Sequence, residues 1–407
     1  MKIRSITCFY HPGAPQAAEQ LERIAGFASA AARRYTDTGY EVQTTRLATT
    51  PFPQFLKALT PEAAVELAVS MHGKAQHLGF TYLSMGAAQA SLPASYELVI
   101  PMLAATKNVF LSGELATPED GVVLASVKSC AKIIADASHI TNDGFTNLRF
   151  AGCVNVKPYG PFFPTAYARD ARPAFSLAIE CADLVLGIFE SAHSLAEARK
   201  RLIQALEAQG QALARVAEDL AHALKIEFKG IDFSMASYPQ TWCSLGAALE
   251  RLGPIKLGLS GSLAAAAFLA DTLDRGNWPR AGFNGMMLPV LEDSTLAERA
   301  TGGTLSIKDL LLYSTVCGTG LDTVPLPGDA TPEQLAAVLV DVAALGVRLG
   351  KPLTARLMPI PGKKAGDPTH FDFDYFINSR VMALEAEPLK APLSETRRFT
   401  LSPRRLH

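Results

Sequence analysis

The 407-residue sequence has no long hydrophobic run and no excess of charge of one sign. No window approaches the roughly 18 consecutive apolar residues of a membrane-spanning helix, so we expect no membrane partner. The formal net charge is −1. A chain so evenly balanced has no summed field that gathers nucleic acid or anionic lipid. We therefore expect no nucleic-acid partner either.

Cysteine is scarce and widely spaced in this sequence. There are six cysteines and no C-x-x-C pair, which excludes the usual zinc-ribbon and dithiol redox motifs. Residues 1–7 lack the apolar region of a secretory signal peptide and are typical of a strand. We therefore expect a cytoplasmic protein whose cysteines remain reduced thiols.

The residues that are present indicate a well-buried α/β chain. Hydrophobic residues make up 48% and charged residues 19%, which allows a large core. Short apolar runs alternate with helical patterns in the first 160 residues, which favours a largely parallel sheet covered by helices, since parallel crossovers are of helix length. The strands predicted there are Ile3–Phe9, Glu41–Leu47, Thr81–Ser84, Asn108–Leu111 and Leu148–Val156.

The second half of the chain is predicted to be more helical. A Ser194-x-x-Glu197 capping box and a leucine stripe predict a long amphipathic helix over residues 194–224. Further strands are predicted at Ile226–Phe233 and Ile255–Leu259.

A threonine N-cap and a first-turn proline predict a last helix over residues 331–349. No linker or repeat divides the chain. We therefore expect one domain over residues 1–407, with a short and flexible C-terminal tail that contains Arg404 and Arg405.

Several segments are too irregular to follow from helix or strand propensity. They are PFFPTAY at 161–167, FKGIDFS at 228–234, GMMLPVLED at 285–293, YSTVCGTGLD at 313–322 leading to PLPGD at 325–329, and PIPGKKAGD at 359–367. By these motifs the sequence resembles the bacterial and archaeal domain-of-unknown-function 711 (DUF711) family. The motifs follow one another in order over nearly the whole chain.

The resemblance implies an α/β barrel of ten strands like that of pyruvate formate-lyase, with helices outside and a long central helical region. By that analogy, Cys317 lies on a loop at the barrel centre. Glycyl-radical enzymes of this fold store the radical on a C-terminal glycine, and the nearest local match here is RVMAL at 380–384, with Ala383 at the glycine position. We therefore expect no glycyl radical, and no other cofactor is evident.

The strongest candidate site is the predicted loop CGTGLD at 317–322. Its glycines permit close backbone approach to a ligand, and consecutive N–H groups of such a loop can bind an anion. A thiolate and a nearby carboxylate suit nucleophilic and acid–base chemistry. The alternative is a tight turn with a buried thiol. The candidates are Cys317 and Asp322 for catalysis, and Gly318, Thr319 and Gly320 for substrate binding.

Other candidate substrate-binding residues lie outside that loop. Lys363 follows a Pro-Gly turn and suits a carboxylate or phosphate, although an exposed basic loop is the alternative. Asp232 lies near the carboxyl end of a predicted strand, where α/β barrels collect site residues, with Ser234 beside it. Arg149 and Asn155 are weaker candidates on the predicted strand Leu148–Val156.

A secondary interpretation concerns His370, Asp372 and Asp374, which alternate with aromatic residues. On a strand these three side chains would share one face, and an imidazole with two carboxylates suits a borderline or hard metal ion. The same alternation is typical of a strand with one solvated face, and on that interpretation there is no metal site.

Together these patterns favour an enzyme of small-molecule metabolism. We expect a non-radical lyase or hydrolase that acts on a small anionic or amino-acid-like substrate. Two alternatives remain open: a non-catalytic binding or regulatory protein that kept the barrel, and a metal-dependent hydrolase. Apolar surface on the 194–224 helix would also permit a homo-oligomer such as a dimer.

Overall fold

Strands and helices alternate along the chain in a computed structural model, which describes residues 1–253, 256–317 and 319–402. The strands are β1 (Lys2–Tyr10), β2 (Thr45–Thr49), β3 (Tyr82–Ala88), β4 (Val109–Glu114), β5 (Ala116–Thr117), β6 (Gly121–Val123), β7 (Phe150–Val154), β8 (Ala174–Glu180), β9 (Glu227–Ala236), β10 (Gly320–Pro327), β11 (Leu353–Ile360) and β12 (Arg398–Phe399). The helices are α1 (Ala17–Asp37), α2 (Pro61–His77), α3 (Val99–Ala105), α4 (Leu124–Ser138), α5 (Ala182–Ser191), α6 (Leu195–Leu224), α7 (Leu245–Glu250), α8 (Ser262–Arg275), α9 (Ser294–Thr301), α10 (Ile307–Val316) and α11 (Pro332–Leu349).

Nine of the described strands form one mixed sheet in the order β10-β11-β7-β4-β3-β2-β1-β8-β9. Strands β1, β2, β3, β4 and β7 run parallel to one another. Strands β8, β9, β10 and β11 run in the opposite direction, because β8 is antiparallel to β1 and β11 is antiparallel to β7. The prediction of a largely parallel α/β sheet is thus confirmed.

The sheet is strongly curved. Strands β1 and β11 are five positions apart, which corresponds to roughly 24 Å in a flat sheet at the usual spacing of about 4.8 Å. Phe9 of β1 and Met358 of β11 nevertheless belong to one buried apolar cluster. At the two edges, residues 279–290 hydrogen-bond to Ile231 of β9 and to Asp322 of β10. The segment 279–290 is not assigned as a strand itself.

One stretch of chain, residues 159–167, crosses the concave face of the sheet. Ser84 of β3 donates hydrogen bonds to two of its carbonyl oxygens, at 2.7 and 3.1 Å, and Ser176 of β8 donates to a third at 3.0 Å. Strands β3 and β8 lie three positions apart in the sheet. The stretch therefore lies inside the curve, and we call residues 159–167 the inner segment.

Helices pack against the other face, around a larger apolar cluster. The long helix predicted at 194–224 is confirmed as α6, with the Ser194 hydroxyl accepting the Glu197 N–H. The helix predicted at 331–349 is confirmed as α11, with a complete capping box at Thr331. In the described part of the chain, no helix combines the length and apolar character that crossing a membrane requires.

Two predicted strands are wrong. Residues 256–259 form turns, and Ile255 lies outside the described residues. Residues 370–375 form no strand, because the Phe371 N–H bonds to the Asn378 side chain and the Phe376 N–H bonds back to Phe373. Their alternation arises from aromatic rings that anchor an irregular chain.

The C-terminal tail is partly ordered against the rest of the chain. Arg398–Phe399 pairs with β6 in a small separate sheet, and the Arg398 side chain pairs with Asp120. Arg404 and Arg405, which also belong to the predicted flexible tail, lie outside the described residues.

A fully buried carboxylate, Asp293, joins the starts of two helices. It caps α9 and also accepts hydrogen bonds at the start of α7, all at 2.6–3.1 Å. A carboxylate with this many donors replaces its lost hydration completely. The donors are the N–H groups of Leu245, Gly246, Thr295 and Leu296 and the hydroxyls of Ser237 and Ser244.

We predict that Asp293→Ala lowers the free energy of unfolding by roughly 4 kcal/mol, because two helix starts lose a cap and buried donors lose their acceptor. Urea denaturation monitored by circular dichroism measures the change. Asp372→Ala removes an exposed carboxylate and is the control, with an expected effect within about 0.5 kcal/mol. A loss below about 1 kcal/mol in Asp293→Ala would contradict the prediction.

Candidate functional site

A polar cavity of about 80 Å³ opens on the concave face, near the amino ends of β2, β3 and β4. On the same scale a single water requires roughly 10–15 Å³, so the cavity suits a ligand of about half a dozen heavy atoms. Charged side chains lie among aromatic ones along its walls. The charged residues are Arg4, Arg46, Arg356, Glu292, Asp322 and Asp232, and the aromatic ones are Tyr82, Phe110, Phe162, Phe163, Phe373 and Tyr375.

Four of the charged residues form one buried ion-pair network. Arg4 of β1 pairs with one oxygen of Glu292, and Arg356 of β11 donates to the other oxygen at 3.3 Å. Arg356 also donates through Nε to Asp322 of β10 at 2.6 Å. Two cations and two anions balance, so this network carries no net charge.

Burial and the neighbouring charges of this network shift the pKa values of Arg4 and Asp322. Burial lowers the pKa of Arg4, but the carboxylates of Glu292 and Glu180 more than offset this effect and raise it. Burial, together with the Glu292 charge, raises the pKa of Asp322 against the opposing effect of Arg356. Arg356 and Asp322 are only 5% and 1% exposed, so water screens this pair little.

Arg46 of β2 is the third cation at the cavity, where Asp232 is the third anion. Among the described residues it forms no ion pair, and its Nε donates to the Thr44 hydroxyl at 2.9 Å. Its guanidinium lies 5.4 Å from the Tyr82 ring centre and 5.3 Å from that of Phe163. Burial and the charge of Arg4 lower the pKa of Arg46 to about 10, so it stays charged at neutral pH.

The two terminal nitrogens of Arg46 therefore remain available. They have no hydrogen-bond acceptor among the described residues, although the side chain lines the cavity. A guanidinium edge of two parallel N–H donors matches the geometry of a carboxylate. This edge of the Arg46 guanidinium is thus suited in shape and charge to a planar anion.

Asp232 of β9 lines the same cavity and is only 3% exposed. It accepts hydrogen bonds from the Ser234 hydroxyl and from the N–H groups of Phe283 and Asn284, the latter two at 3.1 and 2.9 Å. Burial raises the pKa of Asp232 although these hydrogen bonds oppose the shift. Such a carboxyl is suited to exchange a proton with a bound substrate.

The loop that holds Asp232 depends on Gly282. This residue has φ +74°, and a Cβ atom there would lie 2.1 Å from the Asp232 Oδ2 atom. Only glycine fits at both the backbone angle and the distance. The close approach brings the N–H groups of residues 283 and 284 onto the carboxylate.

Of the predicted site residues, Asp322, Asp232 and Ser234 meet in the cavity. Cys317 does not line it and instead ends α10, where its sulfur accepts the Met286 N–H at 3.0 Å. The predicted central loop at 317–322 is thus a short helix-to-strand connection, because α10 continues to residue 316 and β10 begins at residue 320.

The neighbouring loop candidates also have structural contacts. Thr319 donates to the Met286 carbonyl at 2.9 Å. Gly320 has φ +95°, and a Cβ atom there would lie 2.0 Å from the Thr354 carbonyl oxygen. Gly318 lies outside the described residues.

The remaining substrate-binding candidates lie apart from the cavity. Arg149 is buried and donates to two backbone carbonyls, at 3.0 and 3.3 Å. The side chain of Asn155 donates to the carbonyls of Gly346 and Lys351 at 2.9 and 3.2 Å. Lys363 lies in the turn after β11, where its carbonyl accepts the Gly328 N–H.

The weak metal candidates are not brought together. His370, Asp372 and Asp374 are exposed, and the described residues contain no cluster of three or more His, Cys, Asp or Glu side chains that could hold a metal ion. The alternation that suggested a metal site instead turns Phe373 and Tyr375 towards the cavity.

Sequence reasoning missed Arg4, Arg46, Glu292 and Arg356. A signal was present for two of them, because Arg4 and Arg46 each lie within a predicted strand and next to an apolar residue, Ile3 and Leu47 respectively. A charge in such a strand needs a buried partner or a ligand. The pairing of Arg356 with Glu292 joins positions 64 residues apart, and no local pattern predicts it.

We predict that Arg46→Met leaves the free energy of unfolding unchanged or raises it by up to about 1 kcal/mol, because an uncompensated charge is replaced by an apolar chain of similar length. Arg356→Met is the matched comparison. It should lower the free energy of unfolding by about 3–5 kcal/mol, because two buried carboxylates lose the arginine with which they pair. Urea denaturation measures both. If Arg46→Met lost more than about 2 kcal/mol, Arg46 would be a structural residue.

The family model described as "Uncharacterised ACR (DUF711)" matches residues 1–378. A "UPF0210 protein" from Pyrobaculum arsenaticum is 30% identical over 347 residues, which is 81% of this chain and 76% of the relative. Another protein of that name, from Acetivibrio thermocellus, is 26% identical over 354 residues, or 82% of this chain and 77% of the relative.

The match covers the strands that carry the cavity, from Arg4 of β1 to Arg356 of β11, together with Phe373 and Tyr375. The names of these relatives state no activity, so the similarity establishes the family of this chain and no reaction. This chain is a member of the DUF711 family.

Proposed function

We propose that the protein is an enzyme that binds a small carboxylate in the Arg46 cavity and transfers a proton to or from it through Asp232. The observation that carries this proposal is that Arg46 forms no ion pair among the described residues, whereas Arg4 and Arg356 at the same cavity each pair with a carboxylate. A charge kept in a half-buried cavity costs stability, and a ligand that neutralises it recovers that cost.

The surroundings of Arg46 favour a planar anion over a spherical one. The guanidinium of Arg46 lies over the rings of Tyr82 and Phe163. A ligand therefore approaches the guanidinium along its edge and not onto its face. An edge with two donors binds a carboxylate through two parallel hydrogen bonds. Because Glu292 and Asp322 already occupy the other arginines, only one carboxylate of the ligand has a partner.

Asp232 supports a catalytic role in the same cavity. Its raised pKa brings proton exchange closer to neutral pH, and the Ser234 hydroxyl can pass a hydrogen bond to the ligand. Asp322, whose pKa is also raised, provides a second carboxyl that lines the cavity. Two such groups suit a non-radical lyase or hydrolase. The position of Cys317 outside the cavity lining gives no support to a thiol step there.

We place this site inside a barrel of the pyruvate formate-lyase type. The hydrogen bonds of residues 279–290 to β9 and β10 support this arrangement, since a tenth strand at that position would close the sheet. Closure would explain why Asp232 and Asp322, on opposite edges of the nine-stranded order, line one cavity.

A non-catalytic binding protein is the second candidate. Its support is the small size of the cavity and the full engagement of Asp232 by three donors. Both candidates require Arg46, and they differ only in the need for Asp232.

The binding step is tested with a panel of short carboxylates: acetate, propionate, pyruvate, lactate and alanine. We expect at least one to bind the wild type and Arg46→Met to weaken it by about tenfold or more, because a charge-assisted pair is lost. Saturation-transfer NMR and calorimetry provide the measurements. Arg215→Met on α6 is the control, because this exposed arginine forms no ion pair among the described residues. Equal binding by Arg46→Met and wild type would refute the carboxylate site.

The proton-transfer step is tested once a turned-over carboxylate is known. Asp232→Asn should keep substrate affinity and lower kcat by roughly 100-fold or more. In the wild type, a general base must be ionised, so kcat/KM should fall as pH decreases through the raised pKa of Asp232, above the usual 3.8. The pH–rate profile measures this limb. Full turnover by Asp232→Asn would refute the role of Asp232 in proton transfer, and failure of the wild type to turn over any carboxylate that it binds would favour the binding protein.

A further inference from the structure

A second opening lies at the other end of the same strands. It is a groove of about 800 Å³ beside the carboxyl ends of β3, β4 and β7, and Gln89, Glu114 and Asn155 are among its lining residues. Parallel strands of α/β proteins usually present ligand sites at this edge. Its volume lies within the roughly 300–1,000 Å³ of common small-molecule sites.

The inner segment separates this groove from the Arg46 cavity. Phe162 and Phe163 of that segment line the cavity, whereas Thr165 and Tyr167 line the groove. Phe110 and Glu114 of β4 likewise face different openings. A ligand in the groove therefore uses a different set of side chains from a ligand at Arg46.

Glu114 provides a carboxyl group that the protein does not fully use. One oxygen accepts the Ala90 N–H at 2.9 Å, and the other has no hydrogen-bond partner among the described residues. Burial, with a smaller contribution from Glu119, raises the pKa of Glu114. An oxygen of this kind on a groove wall is suited to accept a hydrogen bond from a ligand hydroxyl or amine.

Basic side chains lie on the same groove. Lys157 and Arg169 are exposed, line it, and form no ion pair within the described part of the chain. A backbone hydrogen bond from Tyr159 to Tyr167 at 2.8 Å joins two residues that are each two positions from one of these cations in the sequence. Lys351 adds a third positive charge and donates to the Ser314 carbonyl at 2.6 Å.

The groove is not suited to thiolate chemistry. Cys153 lies on its wall, but burial raises the pKa of that thiol to about 12, so it stays protonated at neutral pH. The useful groups are thus hydrogen-bonding and cationic ones. They fit a ligand with a strongly anionic end and a polar, uncharged body.

We infer that the groove binds an organic phosphate. Its phosphoryl group lies between Lys157 and Arg169, and a hydroxyl of its uncharged part donates a hydrogen bond to Glu114. The groove is about ten times larger than the Arg46 cavity, 800 against 80 Å³, and so has room for a sugar phosphate or larger molecule. The double charge of a phosphoryl group uses two cations, which a single carboxylate would not need.

Calorimetry at low ionic strength with ribose 5-phosphate and inorganic phosphate tests the site. In Lys157→Ala/Arg169→Ala, both probes should bind about tenfold or more weakly, because both depend on the cations. In Glu114→Gln, ribose 5-phosphate should bind several-fold more weakly while inorganic phosphate changes by less than about twofold, since only the sugar reaches residue 114.

Two control variants separate this site from general charge effects and from the cavity. Lys107→Ala/Arg215→Ala removes the same charge from exposed positions outside the groove, and it should leave both affinities unchanged. Arg46→Met should also leave them unchanged, whatever its effect on carboxylates. Failure of ribose 5-phosphate to bind the wild type, an equal loss in the Lys107/Arg215 control, or an unchanged sugar-phosphate affinity in Glu114→Gln would each overturn the assignment.

Discussion

The ion-pair chain Arg4–Glu292–Arg356–Asp322 fixes the interior of this protein, because it ties β1 to β10 and β11 across the concave face. Buried ions persist only when each has a partner, and here two cations meet two anions. The position of Glu292 between two arginines depends on the segment that also places Asp293 at two helix starts. Arg46 stands outside these ion pairs within the described residues, and it is therefore the cation that we propose binds a ligand.

Buried charged residues in this region differ in how completely they are paired. Asp293 is fully hydrogen-bonded and stabilises two helix starts, whereas Arg46 forms no ion pair among the described residues and Asp232 is buried with a raised pKa. Ligand sites commonly retain such unfavourable groups because binding makes use of them. The backbone near Asp232 is equally specialised. Residue 282 must be glycine, because a side chain there would clash with the Asp232 carboxylate, which the N–H groups of residues 283 and 284 approach.

Much of the fold could be predicted from sequence, because capping and periodicity act locally. Ser194 and Thr331 mark the starts of α6 and α11, and Ile3–Phe9 lies within β1. Asp232 and Asp322 could be chosen from their motifs. Arg46, Glu292 and Arg356 could not be brought together, since their meeting depends on curvature of the sheet. The analogy assigned Cys317 to a loop at the barrel centre, whereas Cys317 follows the last residue of α10 and does not line the cavity.

The most direct test of the carboxylate site is a crystal structure of the protein soaked with pyruvate. It should show the pyruvate carboxylate on the terminal nitrogens of Arg46, with the ion pairs of Arg4 and Arg356 unchanged. A structure in which Arg46 turns to pair with one of the protein's own carboxylates, and in which the cavity holds only water, would contradict the proposed role of this residue.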